Sequence, residues 1–342
     1  MSPRLSQDVH LSIDAMGGDF GPRLCVPAAL SFVSSYPQIS ITLVGDLPQI
    51  EAALETSGSV SIDKSRVAFL HAPQVVEPSE KAGSALRHKQ QSSMWKSLEL
   101  VSQGKANGCV SGGNTGALMA MSRRLIKTFS GINRPAICKV IPTSKNSSML
   151  LDLGANLDCS AAQLVQFAIM GSALARAQGK SDPTVALLNV GSELTKGNDT
   201  IQDAATLMRN HRDIRFGGFI EGNNLFDGEF DVIVCDGFVG NVALKVSEGV
   251  ATFIFNSLRA QLSAGLVSKI ASGIVKPALA AWKKQINPSH YNGAALLGLK
   301  EVVVKSHGGA DAQGFIRALE AAREQVEAAI TDKIKLCLAS EI

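Results

Sequence analysis

Apolar residues recur along this chain in two periods. Short β-branched and aliphatic runs alternate with stretches whose apolar positions return every three or four residues. The first kind predicts strands at 9–14, 38–45, 66–72, 108–113, 136–142, 148–156, 184–193, 230–237 and 301–309. The second predicts helices at 81–104, 114–128, 159–178, 198–210 and 312–336. Near-continuous apolar strands need cover on both faces, and alternating helices supply it. The pattern therefore predicts an α/β fold with a mostly parallel, doubly wound sheet. No linker-like stretch and no internal repeat divides the chain, so 1–342 reads as a single α/β domain.

One segment departs from the alternation. Val250, Phe253, Ile254, Leu258, Leu262, Leu266, Ile270 and Ile274 form an apolar helical stripe, interrupted by Gly265, Gly273 and Pro277. This predicts a protruding helical hairpin over about 245–290, bending near "SAGLVSKIASGI", with no strand to follow it. The stripe of the C-terminal helix (Phe315, Leu319, Val326, Ile330) reads instead as core packing.

Polar residues gather where the strands stop. In "LSIDAMGGDFGP", Asp14 ends an apolar strand and Gly17, Gly18 and Asp19 follow. A glycine pair lets backbone N–H groups approach a ligand, and the next helix presents its positive N-terminal end, which suits an anion. A tight turn with Asp19 capping that helix is the plain alternative. Similar turns follow in "SGGNTGALM" (Asn114, Thr115), "LDLGAN" (Asp152, Gly154, Asn156), "LLNVGSELTKGN" (Lys196) and "VCDGFVGN" (Asp236, Gly240, Asn241). Ligands of open α/β sheets bind outside the carboxyl ends of strands, so these five turns predict one functional cleft.

Composition narrows the reading. A net charge of +3 is too small to argue for nucleic acid. The N-terminal "MSPRLSQDVH" lacks the apolar core of a signal peptide. Six scattered cysteines without a C-x-x-C pair or a histidine cluster predict no metal site and no disulfide framework, and fit a reducing cytosol. The charge-free stretch 159–175 has helical spacing with Gln163 and Gln166, and reads as a core helix.

The motifs "DAMGGD", "SGGNTGALMA", "RPAI", "LDLGAN", "LLNVGSELTKGN", "VCDGFVGNVALKVSEG" and "YNGAALLGL…VVVKSHG" stand in one order. In this the chain resembles the acyl-carrier-protein:phosphate acyltransferase (PlsX) family of bacterial phospholipid synthesis. The resemblance implies a fold related to isopropylmalate dehydrogenase and phosphotransacetylase. It implies transfer of a long-chain fatty acyl group from acyl carrier protein to inorganic phosphate, with no cofactor. It also implies a homodimer peripherally associated with the cytoplasmic face of the membrane, where a downstream glycerol-3-phosphate acyltransferase would consume the product. "GSE" stands where the family commonly has "GEE", and "HGGADAQ" where it often has "HGSSD", so no role is carried onto residues 309 and 310.

That chemistry suits the residue types. Phosphate is already a nucleophile, so the protein needs to position two substrates and stabilise the oxyanion that develops on the thioester. The family's proposed catalytic residues fall on Lys196, a point charge, and Asn241, an amide donor. Asp14, Gly17, Gly18, Asn114, Thr115, Asp236 and His307 are expected to bind substrate, the aspartates by orienting a lysine or amide. The helix opening at Asn114-Thr115 is the expected phosphate cradle. Three rivals are a nicotinamide-dependent dehydrogenase on the same fold, a short-chain phosphotransacetylase and a membrane-bound scaffold for lipid-synthetic enzymes. Leu266, Val267, Ile270 and Ile274 are expected to touch lipid, and Arg259, Lys269, Lys276, Lys283 and Lys284 to meet the acidic carrier.

Overall fold

The run VHLSID folds as strand β1 (Val9–Asp14), between β2 (Ile39–Gly45) and β4 (Gly108–Ser111) and parallel to both. Its alternate residues serve two layers. Leu11 and Ile13 are fully buried in a core with Phe32 and Val33 of α1 (Pro22–Ser35) and Phe315 and Leu319 of α9 (Ala312–Glu327). On the opposite face, Ser12 donates to Ser97 O of α4 (Ser93–Ser102) at 2.8 Å. The strand is thus covered on both sides, as its apolar character requires.

The computed structural model describes residues 9–57, 64–263 and 291–339. Within them one sheet of eleven strands runs in the order β3-β2-β1-β4-β11-β10-β5-β6-β9-β7-β8. The remaining strands are β3 (Val67–His71), β5 (Ala136–Pro142), β6 (Ser147–Leu151), β7 (Thr184–Leu188), β8 (Arg215–Ile220), β9 (Val232–Val234), β10 (Ala294–Leu297) and β11 (Val302–Lys305). The other helices are α2 (Leu47–Thr56), α3 (Ala82–His88), α5 (Thr115–Leu125), α6 (Ala161–Ala177), α7 (Asp199–Arg209), α8 (Gly237–Ser263) and α10 (Ile330–Ala339).

The sheet is α/β and mostly parallel, with its antiparallel pairs confined to the middle: β11–β10, β10–β5 and β5–β6. This has one large consequence. Strands β1 to β5 and β11 run one way, whereas β10, β6, β9, β7 and β8 run the other. The two groups therefore open their carboxyl ends at opposite edges of the sheet.

Several expected boundaries shift. The helix expected over 81–104 is two, α3 and α4, separated where Ser92 caps α4 by accepting from Trp95 N. The C-terminal helix breaks at Ala328-Ala329, and Phe315, Leu319 and Ile330 are buried as expected. Helix α6, charge-free up to Arg176 in its last turn, is a core helix, with Phe167 fully buried and a Ser160/Gln163 capping box at its start. β8 and β10 were not expected: "RFGGFI" carries two glycines and "AALL" is four residues without β-branching. β10 also corrects the expectation that no strand follows the long helical segment. Of the expected hairpin, α8 supplies the first arm, and 264–290 lies outside the described residues. That range contains Leu266, Val267, Ile270, Ile274, Lys269, Lys276, Lys283 and Lys284.

Candidate active site

At the carboxyl ends of β1, β4 and β11, register places Asp14 beside Ser111, and Ser111 beside Lys305. Asp14 is buried, and its Oδ2 accepts from Ser111 Oγ at 2.6 Å. Burial pushes its carboxyl upward, opposed by Ser111, Ser93, the Met16 amide and the charge of Lys305. Lys305 donates from Nζ to Gly112 O at 2.9 Å and to Ser306 O. Burial lowers it to about 8 against the pull of Asp14 and Asp19. The glycines here make room: a Cβ on Gly17 would lie 2.6 Å from Asp14 Oδ2 and 2.8 Å from Gly113 N. Gly18, at φ +93°, passes close to Gly308 O.

His307 stands two residues beyond β11. Its backbone N donates to Asn292 Oδ1 at 2.9 Å, and its Nδ1 accepts from Gly309 N at 3.1 Å. Its Nε2 lies 3.2 Å from Lys245 Nζ. Lys245 also meets Glu248 Oε2 at 3.0 Å, and Glu248 Oε1 meets Lys139 Nζ at 3.3 Å. Burial, then the charge of Lys245, lowers the His307 pKa, which keeps the ring neutral at neutral pH.

The second group gathers at the ends of β6, β7 and β9. Asp152 accepts from Ile137 N, Ala155 N and Asn156 N at 2.9, 3.1 and 2.6 Å, and from Asn156 Nδ2. Its carboxylate is spent on holding the "LDLGAN" turn. Asp236 caps α8 by accepting from Val239 N at 2.8 Å. Asn241, in the opening turns of α8, packs over Gly154 and exposes its amide. Lys196 is exposed on the loop after β7, and its backbone O accepts from Asn189 Nδ2 at 3.1 Å.

The expected residues thus fall into two clusters rather than one cleft: Asp14, Gly17, Gly18, Asn114, Thr115 and His307 against Lys196, Asp236 and Asn241. The antiparallel β5–β6 pair causes the separation, because it reverses strand direction midway across the sheet. Helix α8 rejoins them. It starts at the end of β9 and carries Asn241, Lys245 and Glu248 at i, i+4 and i+7, one face, with Asn241 and Lys245 about 6 Å apart along the axis. No hydrogen bond joins Lys196 to Asn241 among the described residues.

One expectation changes. Asp19 does not cap α1, because Gly21 holds that position and Asp19 N instead donates to Gly308 O at 2.9 Å. The Asn114 side chain is engaged within its own turn: its Oδ1 caps Ala117 N at 3.0 Å, and its Nδ2 donates to Pro78 O and Glu80 O at 2.9 Å each, which leaves the expected cradle to the backbone at the start of α5. Thr115 is exposed at the first position of α5. Lys139, Lys245, Glu248 and Lys305 escaped sequence reasoning. The one legible signal was Lys305, a lysine ending an otherwise apolar strand in "VVVKSHG".

Among the described residues no group of three or more His, Cys, Asp or Glu side chains could hold a metal ion. Five cysteines are buried, and burial raises Cys138 and Cys159 to about 12, which leaves them as thiols.

Residues 9–333 match the family described as "Fatty acid synthesis protein". The phosphate acyltransferase of Saccharophagus degradans is 59% identical over 336 residues, covering 98% of this chain and 97% of that protein. This chain belongs to the phosphate acyltransferase family. It is an acyltransferase of fatty acid synthesis, with phosphate as acceptor. Its fold is shared with a phosphotransacetylase from Streptococcus pyogenes, at a TM-score of 0.65 and 15% identity over 94% of this chain and 95% of that one. A 4-hydroxythreonine-4-phosphate dehydrogenase from Salmonella typhimurium also shares it, at 0.52 and 14% over 93% and 99%. The likeness to both phosphotransacetylase and dehydrogenase folds agrees with the resemblance read from the motifs.

Proposed function

We infer that this phosphate acyltransferase takes a long-chain fatty acyl group from acyl carrier protein and delivers it to inorganic phosphate. An oxygen of hydrogen phosphate attacks the thioester carbonyl and a C–O bond forms. The C–S bond breaks, and the phosphate proton ends on the departing thiolate. Lys196 and Asn241 are assigned to the carbonyl oxygen as it gains charge, both being exposed donors at adjacent strand ends.

One observation carries the long-chain reading. Between α8 and the β5–β6 pair runs an apolar groove of about 710 Å3, lined by Val140, Ile141, Leu150, Leu225, Leu244 and Ile254. It includes Lys139 and Glu248, so a chain lying in it would bring its thioester to the charged side of α8. That volume lies within the ordinary range for small-molecule sites and far exceeds the need of an acetyl group. Each buried CH2 contributes about 0.8 kcal/mol, which rewards length.

The exposed apolar residues of α8 outside the groove (Phe238, Val239, Val242, Phe253) suit either a second copy of this chain or a peripheral place on the cytoplasmic membrane surface. The test supplies palmitoyl and acetyl thioesters of acyl carrier protein, and of coenzyme A, with labelled phosphate. The carrier-bound palmitoyl donor should give acid-labile acyl phosphate with the highest kcat/KM. Preference for acetyl-coenzyme A would overturn the reading, and hydride transfer to a nicotinamide would replace it with a dehydrogenase.

A further inference from the structure

The contacts of His307 do not balance. Its ring meets Gly309 N–H at Nδ1 and the Lys245 ammonium at Nε2, 3.1 and 3.2 Å away. Both are donors, and a neutral imidazole has only one acceptor nitrogen. Whichever nitrogen carries the proton, one donor faces an N–H. Around the ring, Lys139 and Lys245 share the carboxylate of Glu248, and Lys305, at the end of β11, faces Asp14 and Asp19. With Gly309 N bonded to Nδ1, the ring proton sits on Nε2, so Nε2–H is left facing Lys245 Nζ, whose own acceptor is Glu248 Oε2. The adjoining Gly18, Gly112, Gly308 and Gly309 present no side chain, and the Asp19 carboxylate lies beside the last two, 3.3 Å and 3.1 Å from where a Cβ on Gly308 or Gly309 would stand.

We propose that this meeting of β11 and α8 is the seat of the inorganic phosphate co-substrate, with His307 Nε2–H and the Lys245 ammonium donating to its oxygens and Lys305 adding charge. This rests on the acyl-to-phosphate reading above and places phosphate at the β11–α8 junction rather than at the start of α5, where the Asn114 side chain is already engaged. Asn241 stands one turn before Lys245 on the same helix face, which sets the acceptor beside the assigned oxyanion donor. Glu248 holds Lys245 in place and screens Lys139, so a phosphoryl anion meets a fixed ammonium rather than a loose one.

The test uses His307→Ala and Lys245→Ala, both exposed positions, in the full-length protein, with thermal melting to confirm the fold. Phosphate affinity is measured directly by calorimetry with inorganic phosphate alone, and KM is measured separately for phosphate and for the acyl donor. Each variant should weaken phosphate binding and raise its KM about ten- to hundredfold, with the donor KM within about twofold of the parent. Unchanged phosphate affinity in both folded variants would overturn the proposal. So would a rise in donor KM alone, which would assign the junction to the carrier's phosphodiester arm. If the parent binds phosphate in a manner lost in the variants yet forms no acyl phosphate from any donor, the site stands and the reaction assigned above falls.

Discussion

Lys196 and Asn241 differ in how the fold treats them, and this frames their test. Asn241 is placed by packing over Gly154, whereas Lys196 is held through its backbone while its side chain stays exposed. Neither is needed for the core, so Lys196→Ala and Asn241→Ala should keep the parent melting temperature. Each should lose about 10²–10³ in kcat, the usual effect of removing one oxyanion donor. Near-parental turnover by either folded variant would displace the assignment. Lys305 adds a pH dependence. Asp14 of β1, Asp19 beyond it and Lys245 of α8 face its amine, which sits at about 8. Its charge is present below that value and lost above it. KM for phosphate should therefore climb as pH rises through about 8, and Lys305→Arg, which stays charged, should flatten the climb if it folds. A flat parental profile would remove Lys305 from the site.

At the scale of elements, α8 connects the two strand groups, and its glycines show how its start is fixed. A Cβ on Gly240 would lie 2.0 Å from Asp152 O and 2.8 Å from Cys235 Sγ. Gly249, two turns on, has nothing within 4 Å. Gly240→Ala should therefore destabilise by about 3 kcal/mol or more, by forcing the helix off the "LDLGAN" turn. Gly249→Ala should stabilise by about 1 kcal/mol through helix propensity alone. Urea unfolding of the pair checks both signs, and equal effects would mean that α8 is not seated as described. The same geometry explains part of the sequence signal. Several glycines at the strand ends are there because two backbones touch, so they marked close packing as much as a ligand.

For the whole molecule, net charge is small, and capture of an acidic carrier depends on where the cations lie. Arg259 belongs to α8, and the lysines at 269, 276, 283 and 284 belong to the segment beyond it. If that arm receives acyl carrier protein, KM for the carrier-bound donor should rise between 0.1 M and 1 M salt, as the screening length falls from about 10 Å to about 3 Å. The coenzyme A thioester of the same acyl group serves as the control, since its binding does not involve the carrier's acidic surface. Identical salt responses of the two donors would exclude electrostatic docking.

Local pattern determined much of this protein. The strand and helix periods were enough for an α/β fold with a mostly parallel sheet: "VHLSID" and "ISITLVG" form strands on alternating apolar residues, and "VIV" on a continuous apolar run. The strand-end motifs marked the polar turns, because side-chain type and glycine placement are local properties. The short strands β8 and β10 were hidden, since glycines and alanines carry little period and only pairing with neighbours defines them. Strand direction was hidden as well, because a parallel and an antiparallel partner demand the same apolar residues. That choice was tertiary. The antiparallel β5–β6 pair split the expected cleft in two, and α8, crossing from one group to the other, brought Lys245 to His307, 62 residues apart in the chain.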